Sequence, residues 1–149
     1  MNASYIEAIS KLIQMHLDSS NTYQKVIHDI DFEELSNFFA DFHKKHKVFA
    51  DRLQQDHKDI SLEEIVEYAP ISKREDELFI AARENDEFKV YQVCLDNERH
   101  IMKCYEDALT TEDNAQEGFQ KNLDTIATIV RRLERAKMVP AVKNVLVDL

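Results

Sequence analysis

Three polar side chains stand in helical patterns that are otherwise apolar, at positions where together they could bind a metal ion. His16, His46 and Glu98 each replace one apolar residue in a series spaced three and four apart. His43 lies three residues before His46 and so shares its face of a helix. Imidazole nitrogens and carboxylate oxygens are ligands that suit Zn or Fe. The four side chains therefore make a candidate metal site.

The same side chains also fit a buried hydrogen-bonded network that holds no metal. Polar groups inside a protein must be paired, and a histidine pairs well with a carboxylate. A di-iron centre is disfavoured, because it needs several carboxylates and this group offers Glu98 alone. Two interpretations remain open: the favoured one is a His–Glu network without a cofactor, and the other is a single Zn or Fe held by these side chains.

The rest of the sequence offers little catalytic chemistry. The single glycine, Gly118, excludes a Gly-rich phosphate loop, and no Ser–His–Asp or Cys–His spacing stands out. Cys94 and Cys104 lie ten residues apart on one predicted helix, and a distance of about 15 Å is too long for a disulfide. Reduced thiols are typical of cytoplasmic proteins. The other histidines fall outside the apolar series and are predicted on the surface: His28, His57 and His100. We therefore favour a cytoplasmic protein without enzymatic activity.

The composition indicates which elements position these residues. The chain of 149 residues has the length of one domain, 1–149, and it contains one Gly and two Pro. Because turns are so poorly supplied and helix-forming residues dominate, we predict an all-α fold. The net charge of −10 disfavours nucleic acid as a partner. A membrane span needs about 20 consecutive apolar residues, and no such run is present.

Apolar spacing predicts four long helices, over residues 4–30, 31–59, 86–109 and 113–138. Short connections join the first helix to the second and the third to the fourth, so each pair should be antiparallel. Residues 60–85 are long enough to carry the chain back along the bundle. One long crossover between helices 2 and 3 is the arrangement of a ferritin-like four-helix bundle.

This architecture predicts where the candidate residues meet. In an antiparallel bundle of helices of similar length, the midpoints share one layer. His16, His46 and Glu98 lie near the midpoints of the first three helices, so their side chains should converge in the core. The fourth helix holds one acidic and two hydroxyl side chains at its midpoint: Asp124, Thr125 and Thr128.

The C-terminal tail, residues 139–149, is too apolar to remain in water. Its exposed apolar side chains would form a patch: Val139, Val142, Val145 and Leu146. We therefore expect the tail to dock on the bundle or on a second subunit, and the protein to be a homodimer.

Three stretches resemble an uncharacterised bacterial family of small ferritin-like proteins. They are "HLDSSNTYQKVI" in the first helix, "REDELFIAARENDEF" before the third, and "CLDNERHIMKCYEDAL" within the third. The resemblance spans most of residues 4–138 and implies a ferritin-like bundle, without an established activity. A histidine that the family would place in the fourth helix is missing here.

Two functions follow as expectations. The first is a non-catalytic interaction or structural protein with a buried polar His/Glu layer. The alternative is a mononuclear metal-binding protein (Zn or Fe), or a stress- or redox-protective protein of the ferritin-like kind, with His16, His43, His46 and Glu98 as the ligands.

Overall fold

Five α-helices and one 3₁₀ turn form the regular structure of residues 3–58, 73–110 and 117–147, which are the residues that the computed structural model describes. In chain order they are α1 (Ala3–Val26), the turn Ile27–Asp29, α2 (Glu33–Asp56), α3 (Lys73–Arg83), α4 (Glu87–Leu109) and α5 (Glu117–Val147). No strand occurs within these three ranges. The prediction of an all-α fold is therefore confirmed.

The segment between α2 and α4 contains one further helix. Residues 59–72, which include the first part of the predicted crossover, lie outside the described residues, and the chain then forms α3. α3 ends at Arg83, and Asn85, two residues later, has a φ of 56°, which places it in the left-handed region. The N–H groups of Asn85 and Asp86 donate to the carbonyl oxygens of Ala82 (3.2 Å) and Ala81 (2.9 Å), the bond pattern of a Schellman motif. Asparagine tolerates this conformation better than most residues.

α4 begins directly after this turn, as the sequence predicted. Asp86 is its N-cap, and the carboxylate accepts a hydrogen bond from the backbone N–H of Lys89 at 3.2 Å. This bond satisfies one of the N–H groups that a helix leaves without an internal partner at its start.

α5 is longer than the predicted fourth helix. Instead of ending near Met138, it continues through Pro140 to Val147, so most of the predicted tail is helical. A proline removes one backbone hydrogen bond from a helix interior, and the helical residues on both sides maintain the element here. Met138 and Val139 are each 58% exposed. The side chains of residues 141–149, and with them the predicted docking, lie outside the described side chains.

Contacts between neighbouring helices show the directions in which they run. Ser20 of α1 donates to the carbonyl oxygen of His43 in α2 at 2.7 Å, while His16 of α1 meets His46 of α2. Because later residues of α1 face earlier residues of α2, the two helices are antiparallel.

The same comparison applies to the second pair of long helices. Arg99 of α4 donates to Glu134 of α5 at 2.7 Å, whereas Tyr105 of α4 meets Asn122 of α5. α4 and α5 are therefore also antiparallel. α4 packs in addition on α1 and α3, and α5 packs on α2, so the two helix pairs enclose a common core.

Large aromatic and aliphatic side chains fill that core. Eight of them are aromatic and almost completely buried: Tyr5, Tyr23, Tyr91, Tyr105, Phe39, Phe42, Phe49 and Phe119. Within the described part of the chain, no helix is both long and apolar enough to cross a membrane.

Candidate functional site

His16, His46 and Glu98 meet in the core, so the predicted convergence is confirmed. The Nδ1 atoms of His16 and His46 lie 2.8 Å apart. The Nε2 atom of His46 lies 2.6 Å from Oε1 of Glu98. None of the three side chains has any exposed surface. They form one hydrogen-bonded series that crosses from α1 to α2 and on to α4.

A tyrosine closes each end of this series. The hydroxyl of Tyr105 lies 2.5 Å from Nε2 of His16. The hydroxyl of Tyr23 donates to Oε1 of Glu98 at 3.0 Å. Both tyrosines are fully buried. We call the five side chains Tyr105, His16, His46, Glu98 and Tyr23 the polar layer.

Two buried asparagines hold the tyrosine hydroxyls in place. Asn122 of α5 donates from Nδ2 to the Tyr105 hydroxyl oxygen and to the carbonyl oxygen of Phe49, both at 3.1 Å. Asn97 of α4 donates from Nδ2 to the Tyr23 hydroxyl oxygen at 2.8 Å. All four long helices therefore contribute to the polar layer or to its immediate support.

Regular helical spacing places four of the five members. His16 and Tyr23 are seven residues apart on α1, and Glu98 and Tyr105 are seven apart on α4. Seven residues make about two turns, so each pair lies on one face of its helix. The hydrogen bonds join His16 to Tyr105 and Tyr23 to Glu98. The earlier residue on α1 thus meets the later residue on α4, so these two helices run antiparallel.

The contacts of Tyr105 determine the direction of its hydrogen bonds. The Phe49 carbonyl oxygen can only accept, so the Asn122 atom that faces it must be the Nδ2 donor. The same nitrogen donates to Tyr105. The phenolic proton of Tyr105 therefore has one acceptor in the layer, Nε2 of His16.

This direction then assigns both histidine tautomers. With Nε2 as an acceptor, a neutral His16 carries its proton on Nδ1 and donates to Nδ1 of His46. A neutral His46 must then carry its proton on Nε2, where it donates to the Glu98 carboxylate. The hydrogen bonds consequently all point from Tyr105 towards Glu98, and the charge of the layer lies on Glu98.

Burial controls the protonation of the Tyr105 end. Burial, and secondarily the proximity of His46, hold the pKa of His16 well below its ordinary value of 6.5. Burial also raises the pKa of the Tyr105 hydroxyl. Both groups are therefore neutral near pH 7, as the tautomer assignment requires.

At the other end of the polar layer, the negative charge of Glu98 acts on two neighbouring groups, Tyr23 and Cys94. The pKa of Tyr23 is raised by burial first and then by the proximity of Cys94 and Glu98. Burial, followed by Glu98, raises the pKa of the Cys94 thiol, whose Sγ atom lies 3.6 Å from the Tyr23 hydroxyl. The thiol and the phenol both remain protonated around the one carboxylate.

One carboxylate oxygen of the layer stands apart from this bonding. Oε2 of Glu98 is buried and has no hydrogen-bond partner among the described residues, and Oγ1 of Thr22 is in the same situation. An unpaired buried oxygen costs free energy, about 1–3 kcal/mol. The hydrogen bonds that stabilise the carboxylate are made by its other oxygen, Oε1, which accepts from both His46 and Tyr23.

The arrangement does not form a metal site as it stands. The two Nδ1 atoms are bonded to each other at 2.8 Å, and an ion with bonds of about 2.0–2.1 Å to each nitrogen would require them to separate. The Nε2 atom of His46 is engaged with Glu98. Among the described residues, no group of three or more His, Cys, Asp or Glu side chains is placed to hold a metal ion.

His43 is outside the polar layer. Its side chain is only partly buried, and its contribution near the layer is a backbone carbonyl that accepts from Ser20. It lines a surface groove of about 330 Å³ together with Lys47. Burial, and then the nearby Lys44 and Lys47, lower its pKa. The expectation that His43 would reach the same layer is therefore wrong.

Sequence reasoning also misjudged one histidine. His57 was expected on the surface, but it is 1% exposed. Its Nδ1 lies 2.7 Å from the Leu53 carbonyl oxygen, and its Nε2 lies 3.1 Å from the Tyr5 hydroxyl. Its position four residues after the buried Leu53 was the signal that it continues the apolar face.

The three residues at the predicted midpoint of the fourth helix do not provide the contribution of α5 to the layer. Asp124 and Thr128 are exposed, and their neighbour Thr125 bonds its own helix at the Lys121 carbonyl oxygen. The residue that reaches the layer is Asn122, which is fully buried. It lies three residues after the buried Phe119, so it shares the core-facing side of the helix.

The surface grooves found among the described residues have linings that exclude the layer. Three grooves of about 190, 330 and 550 Å³ are lined by described residues, and none of these three linings includes a member of the polar layer. The layer is thus separated from these grooves by packed side chains.

Comparison of the chain with protein-family models, with curated proteins and with solved structures finds no match.

Proposed function

We propose that the protein is a non-catalytic helical module with a structural or interaction role, and that its polar layer specifies one packing of the helices. The observation that carries this proposal is the bonding inside the layer. Every ring nitrogen and every hydroxyl of its members is hydrogen-bonded to another member. Buried polar groups of this kind penalise any register in which they lose their partners.

The module would belong to the ferritin-like four-helix bundles, as the resemblance of three sequence stretches implies. Its support is that α1–α2 and α4–α5 are antiparallel pairs, with a long segment between α2 and α4. That topology is the one a single long crossover produces. A cytoplasmic location is part of the proposal and is supported by the two free thiols.

The structural role is tested by replacing the layer as a whole. The five-fold variant His16→Leu, His46→Leu, Glu98→Leu, Tyr23→Phe, Tyr105→Phe removes the polar groups of the layer together, so none of its members remains unpaired. We expect it to remain helical but to lose its unique packing, seen as broad and poorly dispersed NMR signals. The matched control, Val48→Leu at a half-exposed position of α2, should keep the spectrum. A five-fold variant with sharp native-like signals would contradict the proposal.

The partner that we propose is a second copy of the chain. Two adjacent apolar side chains of α5, Met138 and Val139, are each 58% exposed, and further valines follow in the same helix. Met138→Glu should convert a dimer into a monomer in analytical ultracentrifugation. Val48→Glu, at a position 44% exposed on α2, is the control and should leave the dimer intact. A wild-type protein that sediments as a monomer at micromolar concentration would reject this proposal.

A second candidate function is mononuclear binding of Zn or Fe, or stress protection of the ferritin-like kind. The observation that favours it is the buried, unpartnered Oε2 of Glu98 beside the imidazole of His46. Metal binding would require the present hydrogen bonds to break. The test is metal analysis of protein purified without a histidine tag. About one metal ion per chain, lost in Glu98→Gln, would support this candidate, and metal-free protein that takes up neither ion on dialysis would reject it.

A further inference from the structure

The shortest hydrogen bond of the polar layer joins a phenol to a neutral imidazole. The Tyr105 hydroxyl lies 2.5 Å from Nε2 of His16, and the tautomers place a free lone pair on that nitrogen. Beyond it, the bonds continue through His46 to Glu98. A proton that leaves Tyr105 therefore has a continuous path to a carboxylate.

We propose that Tyr105 is a redox-active residue that gives one electron to a diffusible one-electron oxidant of the peroxyl-radical class, while its proton moves along the polar layer to Glu98. This activity goes beyond the proposed structural role and does not rest on it. It requires the hydrogen-bond series alone, without a partner subunit or a metal.

The proton must move because a charged product is too costly in this core. Removing an electron from a phenol that keeps its proton leaves a radical cation, and an isolated buried charge is strongly disfavoured. Transfer to His16 alone would merely relocate the positive charge to a fully buried imidazole. Transfer onward to Glu98 neutralises the carboxylate, so no member of the layer remains charged.

The step balances in atoms and electrons. Tyr105 loses one electron to the oxidant and its O–H proton to Nε2 of His16. His16 loses its Nδ1 proton to Nδ1 of His46, and His46 loses its Nε2 proton to Oε1 of Glu98. The products are a neutral tyrosyl radical, two neutral histidines with exchanged tautomers, a neutral glutamic acid and the reduced oxidant.

The hydrogen bonds remain satisfied after the step. Glu98 now donates to His46, His46 donates to His16, and His16 donates to the Tyr105 oxygen. In the resting protein, this reversed direction would leave the phenolic proton of Tyr105 without an acceptor, because His16 and Asn122 would both donate to the Tyr105 oxygen. The radical has no such proton, so it accepts both bonds. The layer therefore has one fully paired state before oxidation and another after it.

The histidine of a second tyrosine–histidine pair in the same core does not lead to a carboxylate. The Tyr5 hydroxyl lies 3.1 Å from Nε2 of His57, but Nδ1 of His57 donates to the backbone carbonyl of Leu53. An amide carbonyl is not a base that can take the proton, so a proton passed from Tyr5 to His57 would leave a buried imidazolium. Tyr5 is therefore the internal control for Tyr105.

Tyr23 also bonds a carboxylate, but in a less favourable way. Its hydroxyl lies 3.0 Å from Oε1 of Glu98, whereas the Tyr105 contact is 2.5 Å. A proton crosses a short hydrogen bond more readily than a longer one.

Ala108, one turn after Tyr105 on α4, lines a surface groove of about 190 Å³, so this part of α4 lies close to the surface where an oxidant can arrive.

The test oxidises the purified full chain with photogenerated tris(bipyridine)ruthenium(III). This cationic reagent is suited to a protein of net charge −10. Electron paramagnetic resonance and transient absorption follow the tyrosyl radical. We expect the wild-type radical to disappear in Tyr105→Phe and to persist in the controls Tyr5→Phe and Tyr91→Phe. A radical that persists in Tyr105→Phe overturns the proposal.

The relay is tested by removing its final acceptor. Glu98→Gln keeps the shape of the side chain but cannot take up the proton, and we expect the oxidation rate to fall at least about tenfold, which corresponds to about 1.4 kcal/mol of barrier. An unchanged rate in a folded Glu98→Gln protein overturns the proposal.

If Glu98→Gln fails to fold, the proton transfer is tested on the wild-type protein by comparing rates in H₂O and D₂O. Formation of the Tyr105 radical should be slower in D₂O than in H₂O, because a proton moves in the same step. Equal rates in the two solvents overturn the proposal.

Discussion

At the scale of single residues, the stability of the polar layer depends on Glu98. Glu98→Ala would leave His46 and Tyr23 without their acceptor, and we expect it to lower the free energy of unfolding by about 1–3 kcal/mol. Urea denaturation measures this change. Lys44→Ala, at an exposed position of α2, is the control and should stay within about 0.5 kcal/mol of wild type. Equal stabilities for the two variants would contradict the role of the layer.

His16 should make stability depend on pH. Its pKa is held well below 6.5 by burial and by His46, so the unfolded chain binds more protons at this site than the folded protein. The contribution is complete above about pH 6.5 and is lost as the pH falls, with a slope of up to about 1.4 kcal/mol per pH unit.

Urea denaturation between about pH 7.5 and pH 5.5 would measure this slope. His16→Gln cannot titrate in this range and should flatten the dependence. His28→Asn alters an exposed histidine and should leave it unchanged. A slope that is the same in His16→Gln and in wild type would reject this assignment.

The sequence revealed the layer only where a polar residue interrupted an apolar series. His16, His46 and Glu98 were found in this way. Tyr105 and Tyr23 occupy apolar series themselves, so their aromatic rings concealed the hydroxyl groups that close the network. Asn122 was missed because it stands beside Leu123, which satisfied the spacing in its place. Spacing identifies a buried face, but it does not identify which hydrogen bonds form there.

At the scale of elements, the turn between α3 and α4 depends on the left-handed Asn85. Asn85→Gly should leave the folded protein at least as stable as wild type, because glycine adopts a φ of 56° without steric cost. Asn85→Ala should lower stability by about 1–2 kcal/mol for the same reason. Thermal unfolding of the two variants measures the difference, and a more stable Asn85→Ala would contradict it.

The helices themselves were largely predictable, and their ends were less so. The third helix was predicted to begin at residue 86, and α4 begins at Glu87 with Asp86 as its N-cap. The end of α5 was placed too early, since Val139 and Pro140 are poor helix residues by local propensity. The helix continues to Val147 nevertheless. Local propensity is a weak guide where neighbouring turns already define the helix.

At the scale of the whole molecule, the acidic balance predicts behaviour at low pH. The isoelectric point is about 5.0, so the electrostatic repulsion between protein molecules disappears near that pH. Protonation of the unfolded state also lowers the stability of the fold there. We expect a maximum of light scattering near pH 5. Lys44→Glu with Lys47→Glu, both at exposed positions, should move the maximum to lower pH. A maximum that stays in place would contradict this prediction.

The distribution of the polar layer along the chain has a consequence for the order of folding. His16 and His46 lie in the first helix pair, and their acceptor Glu98 lies in the second. During synthesis, α1 and α2 are complete before Glu98 has been made, so His16 and His46 at first lack the carboxylate that ends their hydrogen-bonded series. Local hairpins form early, and contacts that are distant in sequence form late. The docking of the two hairpins is therefore the event that completes the layer, and we expect it to limit the rate of folding.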